Sequence, residues 1–150
     1  MFLLAATLAS AGLTPLPIDP PEAPVCALAR TAIADYVAMT KLTAPDVALD
    51  TTSPSAAIFA QCPQILAALP APFRAATGDE MARVRDAFTR NPATVYTVTA
   101  PEIAPDGQSA TISIGYYCSG LCGFGYRLHY VRKGDAWVPA PGATNEIWQS

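Results

Sequence analysis

Two cysteines four apart, Cys118 and Cys122, sit in the stretch YYCSGLCGFGYRLHY (residues 116–130) with Tyr117, Arg127 and the chain's single histidine, His129. Cys26 and Cys62 complete a set of four. Thiols in such a set serve metal ligation, redox cycling or covalent bracing. A four-cysteine zinc site is marked by paired C-x-x-C spacing, which this chain lacks. Thioredoxin-type chemistry wants C-x-x-C at a helix N-terminus, where the dipole stabilises a thiolate. Here the spacing is one residue longer and the flanks alternate like strand. The GFG at 123–125 is followed by no helix and no third glycine in dinucleotide-binding register. His129 has no G-x-S-x-G partner for a hydrolase triad. The sequence therefore names no catalytic residue, no metal ligand and no cofactor. Tyr117, Arg127 and His129 form its candidate binding patch.

Bracing is the reading that the flanks support. In one continuous strand, four residues at ~3.3 Å each would hold the Cys118 and Cys122 Cα atoms about 13 Å apart, whereas a disulfide needs roughly 4.4–6.8 Å. A reversal at Ser119–Leu121 removes the conflict. It sets Tyr116 opposite Phe124, Ile114 opposite Tyr126, Ile112 opposite Leu128 and Ala110 opposite Tyr130, an apolar face throughout. The other face collects Tyr117 with Gly123, Gly115 with Gly125, Ser113 with Arg127 and Thr111 with His129. A slip of one residue would send one strand's apolar set to the wrong side. The register that sorts both strands is the one a Cys118–Cys122 bridge imposes. By elimination, Cys26 pairs with Cys62. Beyond the bridge, a turn centred on Lys133-Gly134 sets Tyr130 opposite Trp137. The facing pair Gly115 and Gly125 leaves a gap for Tyr117 to cover, for a bend, or for another group to approach.

The elements that hold these residues follow from periodicity. Residues 25–42 carry Leu28, Ala29, Ala32, Ile33, Tyr36 and Val37 at helical spacing. A short strand is expected at Val47–Leu49, and a helix over 57–69 is interrupted or started by Pro63. Thr77 and Glu80 have capping-box spacing, which predicts a helix from Gly78 to Arg90 with Met81, Val84 and Phe88 inward. From residue 93 the period changes to 2, giving strands in ATVYTVTA, SATISIGYYC, CGFGYRLHYVR and AWVPA, with NEIWQ as an added short strand. The expected fold is α+β: N-terminal helices packed on one face of a C-terminal antiparallel β-meander of about four strands.

Of 150 residues, 51% are apolar and 14% charged, which fits one globular domain and excludes a charged disordered tail. The net charge of −3 includes nine scattered basic residues, so no basic stripe exists to neutralise nucleic-acid phosphates. An apolar run from Phe2 to Leu8 precedes Ala9-Ser10-Ala11, a small-x-small cleavage pattern, although nothing basic precedes the run. The expected organisation is a signal peptide at 1–11, a proline-rich linker at 12–24 and a single α+β domain at 25–150. That run is too short to span a bilayer, and no later stretch reaches the ~20 apolar residues of a transmembrane helix.

The last 35 residues resemble a C-terminal pattern of uncharacterised small exported bacterial proteins, in which a cysteine- and glycine-rich segment leads into a hydrophobic strand, a charged turn and a W-x-V-type strand. Cys118, Cys122, Gly123, Gly125, Tyr130, Gly134, Trp137 and Val138 carry the likeness. Similar outlines occur in nuclear-transport-factor-2-like and cystatin-like domains, an analogy of fold that implies no activity. The expectation is a periplasmic or secreted domain, stapled by disulfides, that binds or scaffolds in the cell envelope. Its expected partner is a small molecule or an envelope protein. The alternatives are a small envelope enzyme using the Tyr117/Arg127/His129 face, and a thiol-redox protein using Cys118 and Cys122.

Overall fold

The computed structural model describes residues 22–120 and 122–149. The expected signal peptide and residues 12–21 of the expected linker lie outside them. Helix α1 (Pro24–Thr40) opens on a proline, whose fixed φ and missing N–H suit a first turn. It buries Cys26, Leu28, Ala29, Ala32, Ile33 and Tyr36, and its last turn ends at Lys41 in the left-handed conformation (φ 49°). Strand β1 (Val47–Leu49) follows, then two one-turn helices, α2 (Ala57–Gln61) and α3 (Pro63–Ala67), divided at Pro63. Strand β2 (Phe73–Ala75) leads into helix α4 (Gly78–Arg85). Strands β3 (Thr94–Val98), β4 (Glu102–Ile103), β5 (Ser109–Cys118), β6 (Cys122–Lys133), β7 (Ala136–Pro139) and β8 (Glu146–Gln149) complete the chain. No helix among the described residues is long and apolar enough to cross a membrane.

The domain is α+β, but its sheet is mixed and larger than a four-stranded antiparallel meander. Its path runs β2-β1-β3-β5-β6-β7, with β4 also along β5 and β8 also along β6. β1 pairs parallel with both β2 and β3, while the remaining pairs are antiparallel. A parallel pair needs a long crossover, which α2 and α3 supply between β1 and β2. The helices also do not share one face. Residues of α1, α2 and α3 pack with Val98, Ala110, Ile112, Ile114, Leu128, Tyr130 and Trp137. Met81 and Val84 of α4 pack with Ala48 and Val95 on the opposite face. β1 is buried on both sides because alternation sends Val47 and Leu49 to the first core and Ala48 to the second.

The β5–β6 hairpin has the expected register at every pair from Ala110↔Tyr130 to Cys118↔Cys122. Both disulfides are present. Cys118–Cys122 closes the hairpin tip, with Cα atoms 5.3 Å apart, and Cys26–Cys62 ties α1 to the α2–α3 junction, with Cα atoms 5.6 Å apart. The next turn differs from expectation. Gly134 (φ 60°) is the first loop residue and Asp135 the second, so Lys133 pairs with Ala136, Arg132 with Trp137 and Tyr130 with Pro139. Glycine at positive φ in the first loop position is what a type II′ turn requires. The shift is by two residues, so Tyr130 and Trp137 keep a common face as diagonal neighbours. α4 is also shorter than expected. It ends at Arg85, and Phe88 is 95% exposed rather than inward. Asp86 causes the break: its Oδ1 accepts from the Phe88 N–H at 2.9 Å, a local turn that competes with helix.

Two polar contacts lock α1 to the sheet. The Tyr130 hydroxyl donates to Asp35 Oδ2 at 2.9 Å, and Trp137 Nε1 donates to the Pro24 carbonyl at 3.0 Å. Burial first, and the Asp35 carboxylate second, push the Tyr130 phenol up from its ordinary value, so it remains a donor.

Candidate functional site

Helix α4 covers the β1–β3 part of the sheet's second face, and both ends of that helix are tied down. At its start Thr77 and Glu80 form the capping box: Glu80 N–H donates to Thr77 Oγ1 at 3.2 Å, and Thr77 N–H donates to Glu80 Oε2 at 2.8 Å. Arg74 of β2 grips the same carboxylate with two bonds of 2.7 and 2.8 Å and reaches Asp46 beside β1. The Arg74 guanidinium, followed by the Thr77 backbone, holds the Glu80 carboxyl at about 2, well below the usual carboxylate range. At the other end, the Ser119 hydroxyl at the hairpin tip donates to the Arg83 carbonyl at 2.7 Å and accepts from Ala93 N–H at 2.9 Å. Ser119 thereby joins the disulfide-closed tip to the end of α4.

Between helix, tip and sheet lies a cavity of about 370 Å³. Met81 and Val84 line it from the helix and Val95 and Thr97 from β3, while Tyr117, Cys118, Gly120 and Cys122 line it from the hairpin. Asp50, at the end of β1, lines it too, and is the one charged side chain buried among the described residues, at 3% exposure. The Asp50 backbone N–H donates to the Tyr96 carbonyl, and its Oδ1 accepts from Thr52 and Ser53 N–H at 3.0 Å each. Its Oδ2 takes no hydrogen bond among the described residues. Arg85 lines the cavity as an exposed side chain with no ion pair or side-chain hydrogen bond among them.

The three residues of the expected patch share a sheet face but do not form one site. Tyr117, 45% exposed, lines the cavity and stacks on Trp148 with centroids 5.3 Å apart. The Trp148 indole fills the gap left by the two facing glycines. A Cβ on Gly125 would lie 2.5 Å from its ring atoms and one on Gly115 would lie 2.7 Å away. This indole separates Tyr117 from the other two. Arg127 pairs with Glu102 at 3.2 Å, and His129 Nε2 stands 3.7 Å from Glu146 Oε1. Neither lines the cavity around Tyr117; His129 instead borders a separate hollow with Glu102, Thr111 and Tyr130.

Asp50 and Arg85 were not expected site residues. Asp50 begins the turn-forming run DTTSPS, and aspartate there signals a local cap. That signal explains Oδ1 and says nothing of what Oδ2 meets. No protein-family model, no curated protein and no solved structure matches the chain.

Proposed function

We propose that the chain is an exported, disulfide-stapled domain that binds a small molecule in the cavity between α4 and the sheet. The cavity itself carries the reading. At about 370 Å³ it falls at the small end of ligand sites, roughly 300–1,000 Å³. It combines an apolar floor of Met81, Val84 and Val95 with a few polar groups, the composition that orients small ligands. Placement in the periplasm or outside the cell is supported by the apolar N-terminal run with its Ala9-Ser10-Ala11 pattern and by two disulfides, which persist in oxidising compartments. Nucleic acid is a poor partner on charge grounds: Arg30, Arg74, Arg83, Arg127 and Arg132 each face a carboxylate, leaving no basic stripe.

The test is a thermal-shift screen of small amphipathic molecules, followed by NMR mapping of the compounds that stabilise. Stabilising compounds should perturb the amides of Met81, Val95 and Tyr117. They should lose their effect on a Val84→Trp variant, whose indole fills the space. Perturbations confined to the far sheet face, or equal stabilisation of both proteins, would overturn the assignment. Intact mass with and without reductant, on protein recovered from the periplasm, checks export and both bridges together.

A further inference from the structure

We propose that this cavity selects a small amphipathic zwitterion, with an amine against Asp50 and a carboxylate at Arg85. The proposal rests on the binding reading above and adds the chemical class of the ligand.

Asp50 supplies the first half. Its Oδ1 is committed to two backbone N–H groups, which fix the plane of the carboxylate. Its Oδ2 is free of protein hydrogen bonds among the described residues, in a side chain that is 3% exposed and borders the cavity. Holding the Thr52 and Ser53 N–H groups needs only one acceptor oxygen, and asparagine or serine would supply it as well. The charge is therefore unused by the cap. Oδ2 is left open to the cavity in a residue otherwise removed from water, and a cationic donor meets it best because the hydrogen bond is then charge-assisted. Tyr117, packed against Trp148, lines the same cavity, and an aromatic ring there also attracts cations.

Arg85 supplies the second half. Its guanidinium is unpaired among the described residues, unlike that of Arg83 two residues earlier, which faces Asp79 at 2.9 Å. A planar fork of donors favours a carboxylate. Met81, Val84 and Val95 line the same cavity, so the ligand's two charges are expected to flank an apolar stretch, as in a dipeptide or an ω-amino acid.

Four probes of one chain length separate these contributions: 6-aminohexanoate, hexylamine, hexanoate and 1-hexanol, titrated by NMR into the full domain. Wild type should prefer 6-aminohexanoate to 1-hexanol by about tenfold or more, the effect of one or two charge-assisted bonds. Asp50→Asn keeps the acceptor for Thr52 and Ser53 and replaces only the open oxygen. It should abolish the advantage of hexylamine over 1-hexanol and leave hexanoate binding unchanged. Arg85→Gln should do the reverse. Equal binding of all four probes at the cavity, unmoved by either variant, overturns the ligand class while the cavity reading stands. No binding of any probe at the cavity overturns both. If Asp50→Asn does not fold, Arg85→Gln at its exposed position still decides, because an unchanged preference for 6-aminohexanoate over hexylamine sinks the proposal.

Discussion

Toward α1 the central strands turn Ile112, Ile114, Leu128 and Tyr130, each almost wholly removed from water. Toward α4 the same strands turn Thr97, Gly115, Tyr117 and Gly125. The first face is met by three helices, and one of them is bridged to the next by Cys26–Cys62. The second is met by an eight-residue helix and one indole, with the Cys118–Cys122 tip at its edge. One sheet thus divides its labour by alternation. Aliphatic side chains at every second position make a dry core, while glycines, hydroxyls and one tyrosine leave the other side thinly covered. Stability should therefore reside on the first face and ligand binding on the second.

The two disulfides offer the largest contrast. In the chain-entropy model the loop closed by Cys26–Cys62 stabilises by up to about 4 kcal/mol and the short loop at Cys118–Cys122 by about 2 kcal/mol. Replacing each pair with alanines and comparing urea midpoints should show the first loss near twice the second. Only the second should alter binding at the cavity. Equal losses would mean that the hairpin tip holds more of the fold than the face comparison allows.

Side-chain truncation sharpens the same point. Ile114→Ala opens a void in a fully buried position and should cost about 3 kcal/mol in chemical denaturation. Val95→Ala borders a space that already exists, so only the transfer of two methyl groups is lost, about 1.5 kcal/mol. A Val95 loss as large as that of Ile114 would argue that the second face is as tightly packed as the first.

The glycine pair separates backbone from side-chain crowding on the second face. A Cβ on Gly115 would meet the Phe124 carbonyl oxygen and Gly125 Cα, which cannot move aside, whereas the three atoms nearest one on Gly125 all belong to the Trp148 indole. Gly115→Ala should cost about 2 kcal/mol, and Gly125→Ala less, with the indole displaced. Tryptophan fluorescence checks the second outcome, since a displaced indole becomes more exposed.

How much of this was legible beforehand differs between the faces for a physical reason. Alternation over ten residues, with a bridge at the tip, specifies one register, so every β5–β6 pair could be read from the residues alone. The capping box was legible because its signal lies within four residues. The middle place of β1 was not. Three residues carry no period, and the parallel partners Phe73 and Tyr96 are distant in sequence. The stripe of Met81 and Val84 was readable, yet no amphipathic pattern says which side of a sheet its helix will cover. Of the candidate site, Tyr117 was in view from the sequence. Asp50 was not, because its burial depends on the β1–β3 pairing that brings Tyr96 beside it.

The smallest effect concerns what fastens the thin cover in place. Glu80 is held at about 2, against an ordinary 4.5, chiefly by Arg74. A carboxyl whose folded value is depressed stabilises fully above about 4.5, and that contribution is lost as pH falls toward about 2, since the unfolded chain binds the proton more readily. Arg74 is 39% exposed, so screening keeps the contribution below about 1 kcal/mol. Glu80→Gln should remove this part of the acid limb from a plot of urea midpoint against pH and leave stability near neutrality lower by a similar amount. Because Glu80 fastens α4, which packs in a different core from α1, acid should raise amide hydrogen exchange at Met81 before it does so at Ile33. Simultaneous loss of protection at both would show that the two faces open as one unit, and that the cavity's cover is no weaker than the core beneath it.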